Sequence, residues 1–284
     1  MIRRTWARLP VVVRAILIGI LVGQAGTAPV TGVVVANINL APGIPWSVPL
    51  ACAWLWLFWR YAGGHWWPAS TAATRRMHLR APRIPAVLWG WSLLAGGLTM
   101  AGIFAAKFAL ARVTRLGYAF PDLFAQVPPL TMTAMLLALS AMAGIVEEAA
   151  WRGYMQSPIE RRHGPVVAIA VVSLLFGLAH LTDLQPSMTA LRMIFILIAG
   201  VFYGVMAHII GSIAPGIVLH ATGDAIGIGI LWWQSLRPAA MQPPEAVLPG
   251  ADARSWLLGM LALLLIAGGL WALRATAVAA RKPC

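Results

Sequence analysis

The chain has 284 residues, 60% hydrophobic and 10% charged, against about 45–50% and about 25% in soluble domains. That excludes an ordinary soluble enzyme, a disordered chain and a disulfide-rich secreted domain, because a soluble surface could not carry so much apolar side chain. The net charge of +13 would suggest nucleic acid on a soluble protein, but the cations lie in short runs between apolar stretches, the pattern of the positive-inside rule. The expected surrounding is therefore the lipid bilayer, with no nucleic-acid partner.

Apolar runs long enough to cross a membrane begin after a basic start at Arg3, Arg4 and Arg8. The stretch from Ala15 to Gly23, followed by small residues at 25–28, reads as a retained signal anchor. Spans are expected near 11–27, 45–62, 84–106, 130–152, 164–181, 189–209, 212–233 and 254–274. The fold class is thus all-α, a polytopic membrane bundle of about eight transmembrane helices. Between the spans, 28–44 carries no charge and is expected as a connector. Residues 63–83 hold Arg75, Arg76, Arg80 and Arg83 with His65, Trp66 and Trp67, and look interfacial. Residues 107–129, with Lys107, Arg112, Arg115 and Asp122, read as an amphipathic loop, and 235–253 as a Pro-rich one. Cys52 and Cys284 make neither a disulfide framework nor a metal spacing. The basic ends of the loops place both termini, the 63–83 loop and Arg161 in the cytoplasm, with 107–129 the one conflict. No internal repeat is visible, which argues against a transporter built from inverted halves.

Carboxylates are scarce, so their positions are informative. Asp122, Glu160, Asp183, Glu245 and Asp252 fall in loops or at loop edges, whereas Glu147, Glu148 and Asp224 lie inside apolar runs. An ionisable group in a span is costly and is a functional candidate by default. Glu147 and Glu148 are about 100° apart on a helix and cannot share one direction. Arg152, four residues after Glu148, can meet it on one face. The expected division of labour is a buried Glu148–Arg152 pair, with Glu147 left facing a cavity as general base or acid. Phe176 and His180 are four apart on one face, so the ring can wall a pocket into which the imidazole points. His220 and Asp224 form another such pair: a tautomer-setting hydrogen bond, a metal site or half of a catalytic apparatus. His208, with Pro215 between it and His220, reads as a turn or packing residue. His65, His78 and His163 belong to loops.

Glu147-Glu148-x-x-x-Arg152, then Phe176-x-x-x-His180, then His220-x-x-x-Asp224, on successive membrane helices, resembles the CPBP family of CAAX proteases and bacteriocin-processing enzymes, which includes the Ras-converting CAAX endopeptidase. The similarity covers about residues 130–235, and the flanks match only in hydropathy. The implied organisation is 1–125 as N-terminal membrane helices and basic loop, 126–236 as catalytic core, and 237–284 as Pro-rich loop and last helix. The resemblance implies an intramembrane endopeptidase of the glutamate type. Glu147 would activate water, His180 would hold or polarise it, and His220 with residue 224 would line an oxyanion site. Glu148, Arg152 and Phe176 would support that geometry. Position 224 is Asp where the CAAX endopeptidase has Asn, and an ionised Asp cannot donate to an oxyanion. Either Asp224 stays protonated, or it orients His220, which then donates alone.

No cofactor is expected. A zinc-dependent variant, with Glu147, His180 and His220 as ligands and a site left for water, fits the ligand types but lacks the helical His-Glu-x-x-His signature. A proton relay through the same residues and a non-catalytic scaffold or immunity protein are the other classes. The expected substrate is a membrane-associated peptide or protein. Two Lys against 19 Arg hint at a GC-rich genome and, with the family's breadth, at a bacterial inner membrane.

Overall fold

The computed structural model describes residues 6, 8–114, 124, 126–181, 186–236 and 252–281, and these contain helices and no strand. In chain order they are α1 (Val11–Leu40), α2 (Ser47–Ala62), a 3-10 turn (Ala69–Thr71), α3 (Ala72–Leu79) and α4 (Ala86–Thr114). A continuous rod follows, made of α5 (Pro129–Met142), a π-helical segment (Ala143–Gln156) and α6 (Ser157–His163). The last four are α7 (Pro165–Ala179), α8 (Pro186–Ile210), α9 (Ala214–Ser235) and α10 (Ala253–Ala280). Each of the eight expected runs is helical here. Six helices among the described residues are long and apolar enough to cross a membrane: α1, α4, the rod, the Met193–Ile210 part of α8, α9 and α10. The expected spans at 45–62 and 164–181 are shorter helices, α2 with 16 residues and α7 with 15.

Three expectations need correction. The connector foreseen at 28–44 is largely helix, because α1 runs on to Leu40 with Pro29 inside it. A proline removes the N–H that would bond the carbonyl four residues back. That carbonyl, on Ala25, accepts instead from Trp54 Nε1 at 3.2 Å, the kind of neighbouring donor that lets membrane helices tolerate proline. The turn after α1 is held by buried Asn37, whose Nδ2 donates to the carbonyls of Ala41 and Ile44 while its Oδ1 accepts from Ser47 N. The loop foreseen at 107–129 begins as the last turns of α4, with Asp122 and Arg115 outside the described residues. Glu160, His78 and His163 sit on helices rather than in loops, and Asp252 caps α10 through Ser255 N. Asp183, Glu245 and nearly all of the 235–253 loop lie outside the described residues.

The basic segments gather at one end of the bundle. Val12, Ala15 and Ile16 of α1 cluster with Met155 and Ile159 of the rod, so the start of α1 lies beside α6. Arg80 pairs with Glu160 of α6 at 2.7 Å, and its carbonyl accepts from Ile213 N just before α9. Residues 85–91 at the start of α4 line a groove together with 271–280 at the end of α10. Arg112, one of the three cations of the 107–129 segment that conflicted with this arrangement, sits far along α4 and is paired with Asp252 at the start of α10. Its charge is therefore compensated at the opposite end.

Close approaches bring α9 and α3 onto the rod. A Cβ on Gly144 would lie 2.5 Å from the Ile217 carbonyl of α9, and one on Gly153 would lie 2.9 Å from the Leu79 carbonyl of α3. Tyr154 donates to the Ala62 carbonyl at the end of α2 at 2.7 Å. These contacts anchor the π segment on three sides.

Candidate active site

Glu147, Glu148 and Arg152 all lie on the π segment, where hydrogen bonds run to the fifth residue rather than the fourth. Such turns concentrate at functional sites because they widen the helix and re-aim its side chains. Facing them are Phe176 and His180 at the end of α7, Tyr203 on α8, and His220 and Asp224 on α9. His220 is six and Asp224 ten residues into α9, so they stand about 9 and 15 Å from its start at 1.5 Å per residue. The site is therefore buried within the bundle but shallow with respect to the basic end.

Glu148 and Arg152 are fully buried, each 0% exposed, and form the expected pair, Arg152 Nη1 donating to Glu148 Oε1 at 3.0 Å. Arg152 also donates to the Gly200 carbonyl of α8 at 3.3 Å. Its guanidinium lies over the rings of Phe176, at 4.5 Å, and Tyr203, at 5.4 Å. A buried cation needs compensation from every side. Here one carboxylate, one carbonyl and two π-faces supply it.

The same Glu148 Oε1 lies 3.0 Å from His220 Nδ1. An ionised carboxylate only accepts, so Nδ1 carries the hydrogen and the tautomer is fixed. The other ring nitrogen, Nε2, then faces Glu147 Oε2 at 3.7 Å and Asp224 Oδ2 at 3.8 Å. Glu148 thus engages Nδ1 of His220, while Asp224 stands on the Nε2 side of the ring. Tyr203 stacks on the His220 ring with centroids 5.4 Å apart and planes 9° from parallel. Phe176 meets His220 edge-on at 6.2 Å and His180 at 4.6 Å. His180 Nδ1 is engaged by the Phe176 carbonyl at 2.7 Å, which leaves Nε2 as its other functional atom.

Two carboxylate oxygens in this cluster are buried without a hydrogen-bond partner among the described residues: Glu147 Oε2 and Glu148 Oε2. Buried polar groups are normally satisfied, and exceptions mark functional groups or bound water. A Cβ on Gly216 would stand 2.9 Å from Glu148 Oε2, so a glycine there keeps room beside that oxygen. Glu147 is the more accessible of the two residues, with 21% of its side chain exposed against 1% for Glu148. The structure thus brings together Glu147, Glu148, Arg152, His220 and Asp224, and joins Phe176 and His180 to them through ring contacts. Among the described residues no group of three His, Cys, Asp or Glu side chains is placed to hold a metal ion.

Two features escaped the sequence. Tyr203 lies in an apolar run that otherwise reads as packing. Its signal was a phenol inside a membrane span, where the hydroxyl needs a polar neighbourhood. The π segment left no signature in hydropathy. His208, read as a turn or packing residue, pairs with Glu160 Oε1 at 2.7 Å.

Residues 129–226 match the family of type II CAAX prenyl endopeptidases described as Rce1-like. This segment, about a third of the chain, is similar to that family, and it holds all three motifs on which the resemblance was based. Searches of curated proteins and of solved structures gave no match.

Proposed function

We propose that the protein is an intramembrane endopeptidase that hydrolyses a peptide bond near the membrane surface with a glutamate-activated water. The observation that carries this reading is the unequal engagement of two adjacent carboxylates. Glu148 is committed to Arg152 and to His220 Nδ1, whereas Glu147 holds a buried oxygen with no donor, 3.7 Å from His220 Nε2. In this reading Glu147 takes a proton from water, and the resulting hydroxide adds to the scissile carbonyl carbon. The carbonyl oxygen becomes an oxyanion, which accepts from His180 or His220. Collapse breaks the C–N bond, and the departing nitrogen takes the proton from Glu147. For His220 to donate through Nε2 while Nδ1 bonds Glu148, its ring must be imidazolium. Asp224, at 3.8 Å, then serves as its counter-charge or, protonated, as a second donor.

The reading uses no metal. A zinc-dependent variant with Glu147, His180 and His220 as ligands predicts metal retained after dialysis and loss of activity on chelation, and metal-free catalysis predicts neither. The family match and the shallow site support a membrane-associated peptide or protein as substrate. The gathering of the basic segments supports an orientation in which that end, with both chain ends, faces the cytoplasm of a bacterial inner membrane. The test is a quantitative survey of protein termini in host membranes, comparing wild type with Glu147→Ala at matched expression. A defined set of new termini that vanishes in the variant supports the protease. Identical profiles, with a wild-type phenotype that Glu147→Ala rescues, overturn it in favour of a binding role.

A further inference from the structure

The helices α4 and α10 pack closely over most of their length. Ala95 and Ala272 are completely buried. A Cβ on Gly269 would lie 2.2 Å from Thr99 Oγ1, and one on Gly102 would lie 2.7 Å from Ile266 Cγ1. Small residues at such positions let helix backbones approach in a membrane. Towards the basic end the small residues give way to Trp91 and Trp271, whose rings meet edge to face at 5.5 Å. Around and beyond them a groove of about 700 Å³ opens, lined by Pro85, Leu88, Trp91, Trp271, Val278 and one charged residue, Arg274.

Arg274 makes no ion pair among the described residues. Arg281 follows seven residues later, on the same face of α10. Arg83 precedes Pro85 by two residues, and all three arginines are exposed. The combination is an apolar slot flanked by tryptophans at the end of two membrane helices, with Arg274 in its lining and Arg83 and Arg281 close to it along the chain. A basic pocket between helices at such a membrane boundary suits an anionic lipid headgroup, and the apolar slot suits an acyl chain. We propose that this groove is a binding site for one anionic phospholipid, its phosphate at Arg274 and its chain along the Trp91–Trp271 slot.

The groove is tied to the catalytic cluster by packing. Leu88 and Leu273 belong to the same buried cluster as Leu219 and Tyr203. Further along α4, Cβ atoms on Gly96 and on Gly223 of α9 would lie 2.1 Å from Leu219 and 2.5 Å from Met100. Leu219 directly precedes His220, and Gly223 directly precedes Asp224. A lipid that braces the α4–α10 pair therefore braces the helix that carries two site residues.

The test uses the full-length protein in bilayers of phosphatidylcholine mixed with phosphatidylglycerol, followed by mild detergent extraction and native mass spectrometry of retained lipid. Wild type is expected to keep phosphatidylglycerol in preference to phosphatidylcholine. Arg274→Glu is expected to retain about tenfold less, since reversing one charge turns attraction at the site into repulsion. Ala275→Trp, which fills the groove but leaves the charges, should lose the lipid as well. Arg162→Glu, which changes the same net charge at the same end on an exposed residue outside the groove, should behave as wild type. If Arg274→Glu does not fold, Arg274→Gln carries the same prediction with a smaller loss. Equal losses in Arg162→Glu and Arg274→Glu, unchanged retention in Ala275→Trp, or equal retention of the two lipids in wild type would each overturn the proposal.

Discussion

Two clusters built from the same side-chain types sit on one rod, twelve residues apart. One joins Glu148 to Arg152 and His220, and the other joins Glu160 to Arg80 and His208. In the second, both carboxylate oxygens are satisfied. Arg80 reaches them through two nitrogens at 2.7 and 3.0 Å, His208 Nδ1 lies 2.7 Å from Oε1, and Gln156 donates to Oε2 at 3.2 Å. That cluster reaches solvent and latches the end of α3 to α6 and α8. In the first cluster, both donors converge on one oxygen of Glu148, the other oxygen has no donor, and neighbouring Glu147 also keeps a bare oxygen. A saturated cluster can only hold helices together. An unsaturated one, desolvated and fixed in geometry, keeps a proton acceptor available for chemistry. Residue type therefore does not distinguish the two networks, whereas hydrogen-bond satisfaction does, and under the proposed function it is the unsatisfied one that is reactive.

The sharpest way to break the comparison is at Glu147. Glu147→Gln should lower the rate of peptide cleavage by about 10²–10⁴-fold, the range for losing a general base, with little change in thermal stability. A rate within a few-fold of wild type would show that the bare oxygen is not the base. Next comes Arg152→Met, which leaves Glu148 buried without its cation. Removing one partner of a buried pair costs about 3–5 kcal/mol, to be read as a lower melting temperature in detergent together with lost activity. A normal melt would mean that the pair contributes little to the fold.

The outer cluster should respond the other way round. Glu160→Gln is expected to cost about 1 kcal/mol of stability, as for a partly solvated ion pair, while activity per folded molecule stays near wild type. A steep fall in that activity would join the latch to the chemistry. The smallest effect concerns His78 on α3, which packs edge-on against Tyr154 at 5.7 Å. Burial, with a contribution from Arg161, holds its imidazole below the usual value near 6.5. The unfolded chain then binds the proton more readily than the folded one, so stability is full above about pH 6.5 and declines as the pH falls below it. Melting curves from pH 8 to about pH 5 should show this decline in wild type and a flatter profile in His78→Gln. Parallel profiles would remove His78 as the cause.

Much of the bundle was legible because lipid-facing helices must be apolar along their whole length, which composition reveals directly. The end of α1 was misread as a connector, since the helix continues past Pro29 with a donor from Trp54, a helix away, which no local pattern reveals. The Glu148–Arg152 pair was legible because an i, i+4 spacing is local. The hydrogen bond from His220 to Glu148 was not, since 72 residues separate the partners and the local pair with Asp224 offered a competing explanation. The stacking of Tyr203 on His220 and the π-helical winding of the segment that holds both glutamates depend on packing between helices, which no periodicity encodes.

The most direct test of the central claim is to reconstitute wild type, Glu147→Gln and Glu160→Gln in the same vesicles with a peptide spanning a cleavage site found by the termini survey. Initial rate and melting temperature would be recorded for each. The account predicts that Glu147→Gln keeps its melting temperature and loses cleavage, while Glu160→Gln melts earlier and still cleaves. Cleavage retained in Glu147→Gln, or lost to the same degree in both variants, would contradict it.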